Sequence, residues 1–124
     1  MVCLDTNIII DYLSGDEKVI ALVMGYKGKE NLSTTAITEY ELLKHGGELK
    51  VEDAQRALRS FTVYDFTKDA ARESAKIFKL LQARGKMVNE NDILIAGIAR
   101  VRHETLLTRD LKFKAMEDQD IKII

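Results

Sequence analysis

The chain has 124 residues, with 19 lysines and arginines against 20 aspartates and glutamates, so its formal net charge is -1. Its 46% of hydrophobic residues can build a core, and its length suits a single domain over residues 1–124. A single cysteine excludes an internal disulfide, and no apolar run approaches the roughly 20 residues that span a membrane.

Short apolar segments alternate with longer segments of helical spacing along the chain. The apolar runs predict strands at residues 1–4, 31–33, 62–64, 104–107 and 121–124. Helical spacing predicts helices over residues 7–13, 17–26, 35–45, 51–61, 68–84 and 91–103, with stops at Gly46, Gly47 and Gly85. Because parallel strands need crossover connections, the alternation predicts an α/β fold, a three-layer α/β/α sandwich around a small, mostly parallel sheet.

Acidic residues follow two of the predicted strands. Asp5 comes directly after the first strand, and Asp110 follows the fourth, shortly after the hydroxyl of Thr108. In parallel sheets, ligands bind beyond the carboxyl ends of the strands, where the strand order reverses. Each aspartate taken alone could equally be a turn or helix-capping residue.

Glu39 is expected to lie on the apolar face of its predicted helix. The residues one turn away from it are Thr35, Ala36, Leu42 and Leu43. With this assignment of the apolar face, Glu41 and Lys44 lie on the opposite, polar face of the predicted helix. A buried carboxylate needs a cation, although a glutamate at the edge of the apolar stripe, or paired with an arginine, is the alternative.

Asp92 begins a helix whose next seven residues are all apolar or glycine, so the helix is expected to be largely buried. Helix capping together with Asn89 could also explain this aspartate. Four carboxylates that converge at one edge of a sheet would repel one another, and such hard oxygen ligands suit Mg²⁺ or Mn²⁺. With one cysteine and two histidines, the chain has too few ligands for a typical zinc site.

Four motifs in this order resemble the PIN-domain family, most closely its VapC-type toxin ribonucleases, over essentially the whole chain. The motifs are LDTNIIIDYL, TTAITEYELLKHG, VNENDILIAGIA and LLTRDLKF. The resemblance implies a PIN-like fold and an acidic metal site on Asp5, Glu39, Asp92 and Asp110, with Asn7 and Thr108 as supporting residues.

The resemblance also implies an activity and partners. We expect a Mg²⁺- or Mn²⁺-dependent endoribonuclease that uses a metal-activated water and leaves a 5'-phosphate and a 3'-hydroxyl. We further expect the toxin of a toxin–antitoxin pair, with an antitoxin protein as partner and a homodimeric assembly. Because the net charge is near zero, RNA phosphates would need local cations, for which Arg84, Lys86 and Arg109 are candidates. Helix-end or solvated surface positions are the alternative for these three residues.

Two other functions remain open at this point, and a third is disfavoured. One is an RNA-processing nuclease outside any toxin–antitoxin pair, and another is a PIN-like module that binds without cleaving. A dehalogenase-type phosphatase is disfavoured, because it expects a second aspartate where this chain has Asn7. The opening residues lack the basic segment and cleavage site of a signal peptide, so we expect a cytoplasmic protein without a membrane partner.

Overall fold

A five-stranded parallel sheet forms the centre of the computed structural model, which describes residues 1–44, 50–116 and 120–124. The strands are β1 (Val2–Leu4), β2 (Leu32–Thr35), β3 (Thr62–Tyr64), β4 (Thr105–Thr108) and β5 (Ile121–Ile123). Their order is β3-β2-β1-β4-β5, and every neighbouring pair is parallel. The predicted parallel sheet is therefore confirmed, and each predicted strand has a counterpart.

Each of the six predicted helices also has a counterpart. They are α1 (Thr6–Leu13), α2 (Glu17–Lys27), α3 (Ala36–Lys44), α4 (Val51–Arg59), α5 (Lys68–Ala83) and α6 (Glu90–Val101). A 3-10 helix at Leu111–Met116 has no counterpart in the sequence prediction. Gly85 follows α5 with a φ of 67°, which confirms the predicted stop, whereas His45, Gly46 and Gly47 lie outside the described residues. In the described part of the chain, no helix has the length and apolar character needed to cross a membrane.

The helices cover both faces of the sheet, and the side chains of β1 show why. Successive residues of a strand point to opposite faces. Val2 and Leu4 pack in one core with side chains of α1, α2, α3 and α4, whereas Cys3 packs in a second core with α5, α6 and the 3-10 helix. In β4, Leu107 packs in the first of these cores and Leu106 in the second. The predicted three-layer α/β/α sandwich is therefore confirmed.

The order of the strands reverses between β1 and β4. From β1 the chain adds β2 and β3 on one side of the sheet, and then β4 and β5 on the other. Just beyond β1, the amide of Asp5 donates a 2.9 Å hydrogen bond to the carbonyl of Leu107 in β4. The carboxyl ends of these two central strands are thus joined at the point where parallel sheets place their ligands.

Candidate active site

Asp5 is the most deeply buried carboxylate at this edge, with an exposed fraction of 3%. Its Oδ1 accepts from the amide of Thr6 at 2.8 Å and caps α1, so the capping role considered above is real. Its Oδ2 accepts from the hydroxyl of Thr108 at 2.7 Å. Burial raises the pKa of Asp5 to about 6, although these two hydrogen bonds act in the opposite direction. Asp5 therefore caps α1 and also has a raised pKa.

Asn7 and Thr108 both contact Asp5. The Asn7 side-chain Nδ2 donates to Asp5 Oδ2 and to Thr108 Oγ1, in each case at 3.3 Å. Thr108 Oγ1 in turn accepts from the amide of Asp110 at 3.1 Å. The structure therefore brings the two predicted supporting residues to the first predicted acid, and their effect on function remains a prediction.

Asp92 lies in the first turn of α6 and is partly buried. Its pKa is raised to about 7, first by burial and then by the negative charges of Asp5, Asp110 and Glu41. The positive charge of Lys112 acts in the opposite direction. Residues from three other parts of the chain therefore share one electrostatic environment with Asp92.

Asp92 lies in the first turn of α6, where its charge suits the helix dipole, but a reciprocal capping box does not account for its position. Asn89 is the N-cap of α6, and its side chain accepts from the amide of Asn91 at 3.1 Å. Within the described ranges, the Asp92 carboxylate makes no return hydrogen bond to the amide of Asn89, so the reciprocal capping arrangement is not present.

Glu41, not Glu39, is the glutamate that α3 brings to this site. The Glu41 Oε1 accepts a 2.7 Å hydrogen bond from Thr6 Oγ1, and its charge raises the pKa values of both Asp5 and Asp92. Glu39 and Glu41 are both partly buried, but Glu39 makes no side-chain hydrogen bond or ion pair with any described residue. The prediction that Glu39 faces the site is therefore corrected to Glu41.

The helical phase of α3 explains the error. Thr38 and Leu42, one turn apart, are buried, whereas Leu43 has an exposed fraction of 38%. Treating Leu43 as a core residue rotates the apolar face toward Glu39 and away from Glu41. Thr38, Glu41 and Leu42 in fact share the inward side, since Thr6 Oγ1 also lies 3.1 Å from the hydroxyl oxygen of Thr38.

Asp110 follows β4 at the start of the 3-10 helix. Its Oδ1 accepts from the amide of Lys112 at 2.9 Å, so its carboxylate begins the helical turn. Its charge raises the pKa values of Asp5 and Asp92, and the structure therefore places it with the other acids as predicted. Asp5, Glu41, Asp92 and Asp110 are called the acidic quartet below.

The family model for the PIN domain matches residues 2–119 of this chain. The chain belongs to the PIN domain family. Its sequence is 30% identical over 95 residues to "Ribonuclease VapC3" of Methanocaldococcus jannaschii, covering 77% of this chain and 94% of that protein.

Solved structures share the same fold with this PIN domain. VapBC2 of Rickettsia felis, bound to a DNA fragment from its promoter, is 20% identical with a TM-score of 0.82, covering 100% of this chain and 99% of the other. VapBC-1 of nontypeable Haemophilus influenzae is 25% identical with a TM-score of 0.81, covering 99% and 98% of the two chains. These likenesses confirm the predicted PIN-like fold.

The three cations predicted from the sequence lie in different surroundings in this PIN domain, and their contact with RNA stays a prediction. Arg109 Nη1 lies 3.0 Å from Asp11 Oδ2 and 2.8 Å from Asp16 Oδ2, so its guanidinium is already paired with two carboxylates. Arg84 donates to the carbonyl of Ala115 at 3.4 Å beside the 3-10 helix. Lys86 is exposed, and nothing in the described part of the chain ties it to the acids.

Lys112 is a cation at this PIN-domain site that sequence reasoning missed. Its side chain is exposed and makes no hydrogen bond or ion pair within residues 1–44, 50–116 and 120–124, while its charge lowers the pKa of Asp92. The only signal in the sequence was that Lys112 lies two residues after Asp110. No helix was predicted for this segment, so the spacing could not indicate the direction of the Lys112 side chain.

The acids of the quartet interact through their charges and do not share one compact ligand shell. In the described residues, no three acidic, histidine or cysteine side chains are close enough to form a preassembled metal group. The chemistry of the donors nevertheless fits a hard divalent cation, since all four are carboxylates and two have raised pKa values. Burial is the first cause of both raised pKa values and repulsion between the acids a smaller one, and a bound cation would offset both by favouring the charged carboxylates.

Proposed function

We propose that this PIN domain is a Mg²⁺- or Mn²⁺-dependent endoribonuclease. The observation that carries the proposal is the acidic quartet, which gathers carboxylates from four chain segments at the edge where the strand order reverses. Kinship with a protein named "Ribonuclease VapC3" supports RNA as the substrate. Carboxylates that repel one another across a partly buried site cost stability unless a cation neutralises them, which supports a metal-binding function.

The bound metal would supply an activated water and would stabilise the negative charge that develops in an in-line displacement at phosphorus. Asp5, Glu41, Asp92 and Asp110 would hold it directly or through water. Hydrogen bonds from Thr108 and Asn7 orient the carboxylate of Asp5, and the hydroxyl of Thr6 orients that of Glu41. Attack by water leaves a 5'-phosphate and a 3'-hydroxyl.

An acidic site repels the phosphates of RNA, so a nearby cation has to offset the repulsion. Lys112 is suited to this task, because its positive charge lowers the pKa of Asp92 and its side chain has no partner in the described part of the chain. Arg109 is less suited, because Asp11 and Asp16 already neutralise it. We therefore assign the phosphate contact to Lys112 and retain Arg84 and Lys86 as further candidates.

The toxin role, an antitoxin partner and a homodimeric state are parts of the same proposal. Solved relatives of this fold are VapBC structures, and the exposed helical surface of this chain carries large apolar side chains suited to protein contacts. These side chains are Met24, Tyr40, Leu43 and Val51. Light scattering would measure the homodimer, and growth arrest on expression, relieved by a co-expressed antitoxin, would test the toxin role. An RNA-processing enzyme would instead cut RNA without arresting growth.

The central experiment is cleavage of a mixed panel of RNA oligonucleotides with Mn²⁺, Mg²⁺ or EDTA. The native chain is compared with Asp92→Asn and with Asp69→Asn, which removes an exposed aspartate that pairs with Arg72 on α5. We expect metal-dependent cleavage by the native chain and by Asp69→Asn, and no cleavage by Asp92→Asn. Equal cleavage by all three proteins would contradict the site assignment, and metal binding without cleavage of any RNA would favour a non-catalytic module.

A further inference from the structure

Arg109 joins three separate segments of the chain through its side chain. Its Nη1 lies 3.0 Å from Oδ2 of Asp11 in α1 and 2.8 Å from Oδ2 of Asp16, the N-cap of α2. All three side chains are about one-third exposed, at 33% and 35%. We call this arrangement of Asp11, Asp16 and Arg109 the arginine clamp.

Asp16 serves two purposes in the clamp. Its Oδ1 accepts from the amide of Val19 at 3.2 Å, and this bond caps α2, while its Oδ2 pairs with Arg109. The amide of Asp16 also donates to the carbonyl of Asp11 at 3.0 Å, so the backbone holds the two aspartates together. Because both carboxylates are fixed by helices α1 and α2, the guanidinium has a defined position.

The backbone of Arg109 connects the clamp to the acidic quartet. Its amide donates to Asn7 Oδ1 at 3.2 Å, which leaves Asn7 Nδ2 to donate to Asp5 Oδ2. If the Asn7 amide turned over, its oxygen would face the Asp5 carboxylate and the hydrogen bond would be lost. Arg109 also lies between Thr108 and Asp110, both of which belong to the site, so displacement of Arg109 would displace them.

We propose that Asp11 and Asp16 are positioning residues of the acidic quartet, and that they act through Arg109 to fix Asn7 and the turn that carries Asp110. The proposal rests on the proposed metal site, and it extends it to residues that would touch neither metal nor RNA. It also gives Arg109 a different purpose from direct phosphate binding, which the sequence had suggested.

The test compares Asp11→Asn and Asp16→Asn with Asp69→Asn in the full chain. Asparagine is as good an N-cap as aspartate, so Asp16→Asn keeps the α2 cap and removes only the charge. Asp69→Asn is a matched control, because Asp69 also lies 3.0 Å from an arginine nitrogen, in an exposed pair on α5. Circular dichroism and thermal melting establish that each variant folds.

Affinity for Mn²⁺, measured by calorimetry without RNA, is the first measurement. Loss of a residue that orients a metal ligand lowers metal affinity by about 10- to 100-fold. The clamp acts on Asp5 through Arg109 and Asn7, so we expect each clamp variant to lower Mn²⁺ affinity by about 3- to 10-fold. Asp69→Asn is expected to bind Mn²⁺ as the native chain does. Native affinity in both clamp variants would overturn the proposal.

RNA kinetics separate positioning from phosphate binding. If the clamp positions the quartet, both clamp variants lower kcat and leave KM for RNA close to that of Asp69→Asn. If the function of Arg109 is instead to bind phosphate, Asp11→Asn frees its guanidinium from one carboxylate, and KM for RNA falls below that of Asp69→Asn. That result would overturn the proposal.

A third measurement keeps this proposal separate from the proposed function. If the native chain neither binds Mn²⁺ nor cleaves RNA, the proposed function fails, and the metal-free protein still reports on the clamp. The side-chain amide resonances of Asn7, followed by NMR, are expected to shift in Asp11→Asn and to stay in place in Asp69→Asn. Unchanged Asn7 resonances in Asp11→Asn would overturn the proposal.

Discussion

Thr6 Oγ1 donates a 2.7 Å hydrogen bond to Oε1 of Glu41, and this bond brings a carboxylate of α3 to the residue that follows Asp5. The hydroxyl is the first side chain of α1, which starts at the Asp5 cap. The site is therefore assembled where the start of α1 meets the ends of β1 and β4 and one side of α3.

The first prediction separates the two glutamates of α3. Glu41→Gln is expected to weaken Mn²⁺ binding by about 10-fold or more and to suppress cleavage, because it removes a charge from the quartet. Glu39→Gln removes the same charge from the same helix, away from the site, and is expected to stay within about twofold of the native chain. Calorimetry and RNA cleavage are measured side by side, and a larger effect of Glu39→Gln would restore the original assignment.

The second prediction concerns the stability cost of the quartet. Without metal, Asp92→Asn is expected to raise the melting temperature by about 2 to 5 °C, because it relieves repulsion from Asp5, Asp110 and Glu41. With saturating Mn²⁺ the native chain is expected to gain more stability than the variant, because it binds the ion more tightly. A lower melting temperature for Asp92→Asn in both conditions would mean that this carboxylate stabilises the fold.

The third prediction is the pH dependence of the metal-free protein. The pKa values of Asp5 and Asp92 are raised to about 6 and about 7, so between about pH 4 and pH 7 the folded state binds more protons than the unfolded state. Stability from these groups is therefore greatest at the acidic end and falls as the pH rises through the folded pKa values. A tenfold change in proton affinity corresponds to about 1.4 kcal/mol, so the buried Asp5 is expected to contribute most of a change on the order of a few kcal/mol. Solvent screening reduces the contribution of the partly exposed Asp92.

Urea unfolding at pH 5, 6, 7 and 8 measures this dependence. Asp92→Asn removes one of the two titrating groups, so its stability is expected to fall less steeply over the same range. Saturating Mn²⁺ is expected to reduce the fall in the native chain, because metal binding favours the deprotonated acids. Parallel pH profiles for the native chain and Asp92→Asn would show that Asp92 does not titrate as expected.

The fourth prediction tests the phosphate contact at Lys112. Lys112→Gln is expected to raise KM for RNA and to lower the magnitude of the logarithmic salt dependence of RNA binding by about 1, because one phosphate contact is lost. Lys114→Gln removes another exposed lysine from the same 3-10 helix and serves as the matched control. If the two variants shift RNA binding equally, the effect is one of general charge and not of a contact at the quartet.

The sequence by itself determined the architecture and the placement of three of the four acids of the quartet at element ends. Alternating strands and helices are local patterns, so they predicted the parallel sheet and its two helical layers, and the motifs placed Asp5, Asp92 and Asp110 at element ends. Residues at element ends can be placed from the sequence, because a residue next to a strand or at the start of a helix lies at the edge of the sheet whatever the rotation of the helix.

Only the tertiary structure decided between Glu39 and Glu41, because that choice depends on the rotation of a nine-residue helix against its neighbours. One solvent-exposed residue, Leu43, was enough to give the wrong phase. The sequence could not predict the partners of Arg109 either. Asp11 and Asp16 are more than 90 positions away from it, and they contact it only when α1, α2 and β4 pack together. Local periodicity specifies which face of an element is apolar, and only packing specifies which side chains from distant elements meet.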